Sequence, residues 1–480
     1  MSLFIRKPLA QILAQAADNE KGLKRTLGAM NLVALGIGAI IGAGLFVRTA
    51  DAAAKAAGPA VTLSFIVAAI GCALAGLCYA EFASSIPISG SAYAYAYVTM
   101  GELVAWIIGW ALIMEYALGA ATVSIAWSEY LNKLLGGAIP YEWCHSPFEH
   151  DVSGMGGIMN APALVILLLL TLLLIRGTQE SASVNAVIVF LKVAIVLVFI
   201  AVGWSFIKDA NHVPYMIPEG TPGHEGVFKH GWGGVLGGAA IVFFAFIGFD
   251  AVSTTAQEAK NPGKDMPIGI LGSLAVCTVL YILFAHVLTG VANYTEFATA
   301  GKEASVAYAI ETYMTGYHWL ATLVTVAILA GFSSVILVML MGQSRVFFSM
   351  SSDGLIPPVF GEVHPKYRTP YKSNWIVFAF VGAFAAFIPG SLAGDLTSFG
   401  TLLAFVLVSI GVVVLRRTDP DLKRPFRTPA VYIVAPLGAL VCLGMIVALD
   451  KFTLLAAFSW MALGLVVYFI YGKRNSKLRQ

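Results

Sequence analysis

The sequence predicts an all-α membrane protein of about twelve spans, built as two five-span units in opposite orientation followed by two further spans. Three observations predict it. The 480 residues are 59% hydrophobic and only 11% charged, with a mean hydropathy of +0.83, whereas a soluble globular chain is about 25% charged. Apolar stretches near the ~20 residues needed to cross a bilayer recur along the chain. Two of these stretches, about two hundred residues apart, are broken by glycine, which is the sequence mark of paired half-helices in inverted repeats.

In chain order, residues 1–27 form an N-terminal segment that is polar and amphipathic up to Thr26, without the pattern of a separate signal peptide. Spans 1–5 are expected at roughly 28–50, 60–86, 100–126, 161–176 and 183–207, so the first repeat covers 28–207. Spans 6–10 are expected at 233–258, 267–291, 317–349, 374–389 and 396–415, so the second covers 233–415. Spans 11 and 12, at 431–449 and 453–471, precede a tail at 472–480. Five is an odd number, so the second unit starts on the opposite face of the membrane. Two longer connections, 130–160 and 208–232, are rich in Gly, Pro and His.

Charge placement orients the chain. With both termini in the cytoplasm, 21 Lys and Arg fall in inside segments, against seven outside: Arg48, Lys55, Lys133, Lys208, Lys229, Lys302 and Lys451. This matches the positive-inside bias. The net charge of +3 is spread over these loops, so it reports topology and not a nucleic-acid partner. The remaining basic residue, Lys192, sits inside span 5.

The broken spans are where ligand chemistry fits. Span 1 reads Leu35-Gly-Ile-Gly-Ala-Ile-Ile-Gly-Ala-Gly-Leu-Phe46. Interior glycines weaken a helix, and freed backbone groups at membrane depth are tolerated where they face protein or a cavity. The N–H groups of Gly42, Ala43 and Gly44 would open a half-helix whose positive end favours a carboxylate. Span 6 reads Phe243-Phe-Ala-Phe-Ile-Gly-Phe-Asp250, and carbonyls near Phe244, Ala245 and Ile247 suit an ammonium. An anion hole and a cation hole about one Cα apart recognise an α-amino acid. The alternative is that Gly38-x-x-x-Gly42 only lets helices approach closely.

Lys192 is costly if charged and unpaired at that depth, on the order of 2.5–3.5 kcal/mol. It is a candidate for loading and releasing a proton, or for a fixed cation where other transporters hold sodium; snorkelling or a static pair are the alternatives. Glu115, midway along span 3, could face a basic substrate side chain, pair with another helix or take part in proton transfer. Asp250, Glu258 and Glu81 are read as structural. The alternating Tyr93, Tyr95 and Tyr97 are read as an interfacial aromatic belt. Four of the five cysteines (Cys72, Cys78, Cys277 and Cys442) fall in spans, and Cys144 lies in a connection near His145 and His150. Loop polarity explains that group better than zinc, which normally takes four ligands. No phosphate-cradling loop, nucleophile elbow or His-Glu-x-x-His is present, so no enzyme, no metal and no cofactor beyond a coupling proton is expected.

These residues carry a resemblance. Gly36-Ile-Gly-Ala-Ile-Ile-Gly-Ala-Gly-Leu-Phe46, Leu77-Cys-Tyr-Ala-Glu-Phe-Ala83, Gly90-Ser-Ala-Tyr-Ala-Tyr-Ala-Tyr97 and Phe244-Ala-Phe-Ile-Gly-Phe-Asp-Ala-Val-Ser253 resemble the amino acid–polyamine–organocation superfamily. Asn261-Pro-Gly-Lys-Asp-Met-Pro267, Ser344-Arg-Val-Phe-Phe-Ser-Met-Ser-Ser-Asp-Gly354 and His364-Pro-Lys-Tyr-Arg-Thr-Pro370 add to it. The chain is similar to bacterial relatives of the cationic amino acid transporter branch. The resemblance implies a leucine-transporter-type 5+5 fold with two extra spans. It implies amino acid transport by alternating access, driven by protons or by exchange. It implies that Ala43 and Gly44 donate to the substrate carboxylate, that Ile40, Phe244 and Ile247 accept from its ammonium, and that Phe244 closes as a gate. It matches Lys192 to the span 5 lysine of proton-coupled relatives. Where some relatives carry Ser or Thr in the carboxylate hole, this chain has Ala43. Ser333 and Ser334 in span 8 are placed against the substrate side chain.

The expected function is therefore secondary transport of small neutral or cationic L-amino acids in a cell membrane, with proton coupling. A proton-independent exchanger and a non-transporting sensor are the alternatives. The partners are the amino acid and the lipid bilayer; no disulfide-linked heavy chain is indicated, and the oligomeric state is open.

Overall fold

The computed structural model describes residues 3–9, 27–88, 91–150, 154–176, 182–298, 305–367 and 369–479, with backbone alone at 182–186 and 257. Most of the amphipathic N-terminal segment lies outside the described residues. So do Gly90 of the quoted motifs and Lys21, Lys24, Arg25, Lys302 and Arg368 of the charge pattern.

The described chain is helical, with isolated backbone bridges and no strand among the described residues. The helices are α1 (Ala29–Ile40), α2 (Val61–Ser85), α3 (Ser91–Thr99), α4 (Glu102–Ile113), α5 (Gly119–Leu134), α6 (Ala161–Ile175), α7 (Ala182–Gly203) and α8 (Gly231–Val242). They continue with α9 (Pro262–Val291), α10 (Ser305–Tyr313), α11 (His318–Ser352), α12 (Tyr371–Phe387), α13 (Gly390–Thr418), α14 (Val431–Val447) and α15 (Lys451–Val467). Helix occupies each of the twelve apolar stretches. Among the described residues, eight helical runs are long and apolar enough to cross a membrane, and α1, α6, α12 and α14 are shorter apolar helices. Twelve residues of α1 rise only ~18 Å against a ~30 Å hydrocarbon core, so α1 is a half-crossing. Beyond the break, a wide π turn at Gly44–Arg48 opens the second half, which runs through Thr49–Ala52 and Ala53–Ala57.

Helix α9 packs along both α1 and α2, α11 along α5 and α7, and α13 along α14. The two broken segments are also tied at their ends. Leu27 N donates to Glu258 O (3.0 Å) and Lys260 N to Leu27 O (2.8 Å). The two described chain ends meet at one end of the bundle. Lys7 pairs with Asp353 at 2.9 Å, Lys477 N donates to Asp353 O at 3.1 Å, and Arg479 pairs with Glu102 at 2.8 Å.

Several expectations need correction. Tyr93, Tyr95 and Tyr97 belong to helix α3 and are all buried, so they are core and not an interfacial belt; Tyr95 stacks on Phe82 at 4.9 Å. Alternating Tyr and Ala resembles a strand, but burial on every side removes the need for a helical polar face. Arg48 does not lie in a solvated loop. It is 2% exposed, bonded to Asp51 at 2.6 Å and to Asp395 of α13. Glu81 is structural as read: it accepts two bonds from Arg416 (2.9 and 2.7 Å) and one from Thr428 N (2.8 Å).

Candidate functional site

Both helix breaks arise at glycines: in the first among small apolar residues, in the second among Phe and Ile. In the first, Ile41 turns extended (φ −71°, ψ 103°) after α1. Gly42 O then accepts from Leu45 N at 3.2 Å, which starts the second half-helix. In the second, α8 runs into a tight turn at Phe243–Phe246, and Ile247 turns extended (φ −59°, ψ 135°). Gly248 follows at φ +114°, a backbone state that a residue with a Cβ rarely takes. The chain resumes as the 3₁₀ segment Asp250–Glu258.

The breaks lie directly on one another. A Cβ on Gly44 would sit 2.2 Å from Ala245 Cα, and a Cβ on Gly248 would sit 2.8 Å from Ala39 O. Between them lies a narrow cavity of about 10 Å³, room for one water-sized sphere. It is bounded by Ile40, Gly42, Ala43 and Gly44 on one side and by Phe244 and Ile247 on the other. The positive end of the Gly44 half-helix and the carbonyl end of the α8 turn therefore meet at one cavity.

Tyr281 of α9 joins the two breaks. Its hydroxyl lies 3.0 Å from Ile40 O and 2.9 Å from Ala245 O, and it donates to these carbonyls. Phe244 O accepts from Ile247 N at 3.3 Å. The sequence reading missed Tyr281. The available signal was a tyrosine deep in an apolar span, since a buried phenol usually finds a hydrogen-bond partner.

The rest of the wall is Ala39, Val123 of α5, and Val335 and Met339 of α11, all apolar. Ser333 and Ser334 do not line this pocket. Ser333 Oγ donates back to Leu329 O at 2.9 Å. Helical spacing explains the miss: positions 335 and 339 are one turn apart and share a face, which 333 and 334 do not. Glu115 is not in the pocket either. It sits in a wide turn at Met114–Leu118, fully buried, and neighbours Asp250, which accepts from Tyr116 OH at 3.0 Å.

Lys192 lies across the first break from this pocket. Its Nζ donates to Gly38 O at 2.7 Å. A second, tightly closed crevice there is lined by Lys192, Ile41, Phe46, Ile195 and Phe332, among others. Gly331 admits the lysine stem, because a Cβ there would come within 2.8 Å of Lys192 Cε. Past the break, Phe46 O accepts from Ser305 Oγ (3.0 Å) and Tyr130 OH (3.3 Å), so α10 and α5 hold the second half-helix.

The group at 144–150 is explained by its own contacts. His145 stacks on Tyr141 at 3.7 Å and pairs with Glu129 at 3.0 Å. Burial opposes its charge, but the hydrogen bond and charge of Glu129 outweigh that and raise it to about 9.

A sequence profile described as amino acid permease matches residues 27–470. A branched-chain amino acid permease of Bacillus subtilis (strain 168) is 44% identical, covering 100% of this chain and 99% of that protein. A methylthioribose transporter of the same organism is 43% identical, covering all of both. The vacuolar cationic amino acid transporter 4 of Arabidopsis thaliana is 34% identical over 88% of this chain and 68% of its own length.

Proposed function

The chain belongs to the amino acid permease family, a family of membrane transporters and not enzymes, and from that premise we propose a proton-coupled importer of small neutral and branched aliphatic L-amino acids. The observation that carries this reading is the cavity between the breaks, where a half-helix N-terminus and a set of backbone carbonyls face each other. Ala43 and Gly44 donate to the substrate carboxylate through their N–H groups. Ile40, Phe244 and Ile247 accept from the ammonium, Ala245 shapes the hole, and Phe244 closes over the bound molecule. The side chain of the substrate meets Val123, Val335 and Met339, an apolar wall. With Glu115 outside the lining, a cationic side chain has no carboxylate to meet there. The similarity to a branched-chain amino acid permease points the same way.

The frame for this chemistry is a leucine-transporter-type fold of twelve spans. Two inverted five-span repeats, 28–207 and 233–415, are followed by spans 11 and 12, with both termini in the cytoplasm of a cell that carries the protein in its cell membrane. The bundle end where Lys7, Asp353 and Arg479 meet then faces the cytoplasm, and the Arg48–Asp395 pair closes the outer end over the pocket. Lys192 couples the proton. Charged, it holds Gly38 O and the first break; neutral, it loosens that hold and lets the half-helices change their relative position.

A second reading starts from the methylthioribose transporter, whose similarity is nearly equal. An apolar wall ending in Met339 also suits a methylthio group. Uptake into proteoliposomes separates these readings. Labelled leucine, alanine and arginine are offered with and without an inward proton gradient, with unlabelled methylthioribose as competitor. The proposal expects leucine and alanine uptake to rise with the gradient and arginine to lag. Uptake that ignores the gradient but needs internal amino acid would make the protein an exchanger, binding without flux a sensor, and full competition by methylthioribose would move the substrate class.

A further inference from the structure

Residues 208–230 connect α7 to α8, and the sequence assigns them no role. In the structure they form a strap between two elements. The strap begins on the end of α9, where Lys208 N and Asn211 Nδ2 both donate to Gly290 O, at 3.0 and 2.8 Å. The imidazole of His212 stacks on that of His286 in α9, with centroids 4.6 Å apart and planes 30° apart. His212 Nε2 lies 3.3 Å from His286 O and 3.4 Å from Thr289 Oγ1.

The strap then crosses to the half-helix beyond the first break. Ala60 N donates to Tyr215 O at 2.9 Å, and Tyr215 OH meets Thr62 Oγ1 at 2.5 Å. Ile217 is 1% exposed and packs on the turn at Gly58. His224 Nε2 donates to Ala54 O at 2.9 Å. The strap thus covers Ala54–Thr62, and the stacked histidines fasten its first end.

We propose that the His212–His286 stack is an acid-sensitive fastener: it holds the strap over Ala54–Thr62 while the His212 ring is neutral, and releases it when that ring gains charge. A charge on His212 loses solvation where the ring is packed against His286. Burial first, and His286 second, hold the His212 imidazole below its ordinary value. A ring depressed in the docked state favours docking most above its free value of about 6.5, and that preference fades as pH falls below it. The other groups facing this corner are few. Lys208 and Asp209 lie on the strap itself, with Asp209 favouring the charged ring. Tyr215 lies 6.3 Å from the His212 ring. Lys208 Nζ is drawn to the Tyr313 ring of α10 (4.8 Å), and Tyr313 OH donates to Glu296 at 2.5 Å.

The test reads strap release directly. All five native cysteines are buried, so Ile217→Cys reports uncovering, and Val227→Cys, at a position 74% exposed, corrects for thiol reactivity at each pH. Full-length protein in lipid nanodiscs, open on both faces, is labelled with a maleimide at pH 7.5 and 5.5. The ratio of labelling at 217 to that at 227 is expected to rise several-fold on acidification. With His212→Gln or His286→Gln added, the ratio is expected to be flat with pH, whether low or high. A flat ratio with both histidines present, or an unaltered rise in both Gln variants, overturns the proposal. Retained substrate binding at pH 7.5 shows that each variant is folded.

Discussion

The two helix breaks face one pocket, yet they are held open by different means. The first is a run of small residues, Gly42-Ala-Gly44, whose backbone is steadied from outside by two side chains. Lys192 bonds to Gly38 O and Tyr281 to Ile40 O. The second relies on itself: Gly248 at φ +114° reverses the chain, and Phe244 O accepts Ile247 N. From other helices, Tyr281 reaches it through Ala245 O and Tyr116 through the Asp250 carboxylate. The difference teaches that the two half-helix pairs are not held alike: a lysine side chain steadies the first, and that is the break on which the proposed proton coupling acts.

The largest effect belongs to the contact between the breaks. Gly44→Val is expected to abolish uptake, more than about 100-fold, because its Cβ would sit 2.2 Å from Ala245 Cα and backbone cannot yield. Substrate binding to purified protein checks this, and near-normal affinity would separate the breaks as a functional unit.

Next comes Lys192→Ala. Accumulation driven by a pH gradient should vanish while counterflow exchange persists. Gradient-driven accumulation surviving in this variant would remove the proposed asymmetry between the breaks.

Gly248→Ala should act on the second break alone. A Cβ at that φ and 2.8 Å from Ala39 O costs about 1–3 kcal/mol. Thermal stability is expected to fall with proton stoichiometry unchanged, and an altered stoichiometry would show that both breaks couple.

Tyr281→Phe removes the donor shared by Ile40 O and Ala245 O. At about 0.5–1.5 kcal/mol per lost bond, uptake should fall roughly tenfold, for every substrate alike.

The smallest change is a shift of preference. Met339→Ala widens the wall and should move KM by a few-fold in favour of bulkier aliphatic side chains over alanine, since one methylene is worth about 1–3 kcal/mol in such a pocket. An unchanged substrate order would place the side-chain pocket elsewhere.

Legibility in the sequence followed what is local. Ile40, Gly42, Ala43, Gly44, Phe244 and Ile247 all line the cavity, because a glycine-rich interruption marks its own position in the chain. Ser333, Ser334 and Glu115 fell outside the lining, because the face a helix residue presents depends on how that helix is rotated against its neighbours. Tyr281, Val123, Val335 and Met339 went unread for the same reason: nothing in an apolar run says which of its residues look inward. The burial of Arg48 was not legible either, because a charge near a span end is ordinarily solvated, and it takes Asp395 from a distant helix, with Asp51 one turn on, to make that burial tolerable.

By itself the sequence determined that this chain belongs in a bilayer, where its spans run, and where two of them break, since hydropathy, length and glycine act within a few residues of themselves; the short helices Ser91–Thr99 and Ser305–Tyr313 it did not mark. The tertiary structure alone decided that Gly44 rests on Ala245, that Lys192 reaches Gly38 O, and that His212 stacks on His286. These are contacts between residues tens to hundreds of positions apart, and their energies exist only once separate helices have packed side by side.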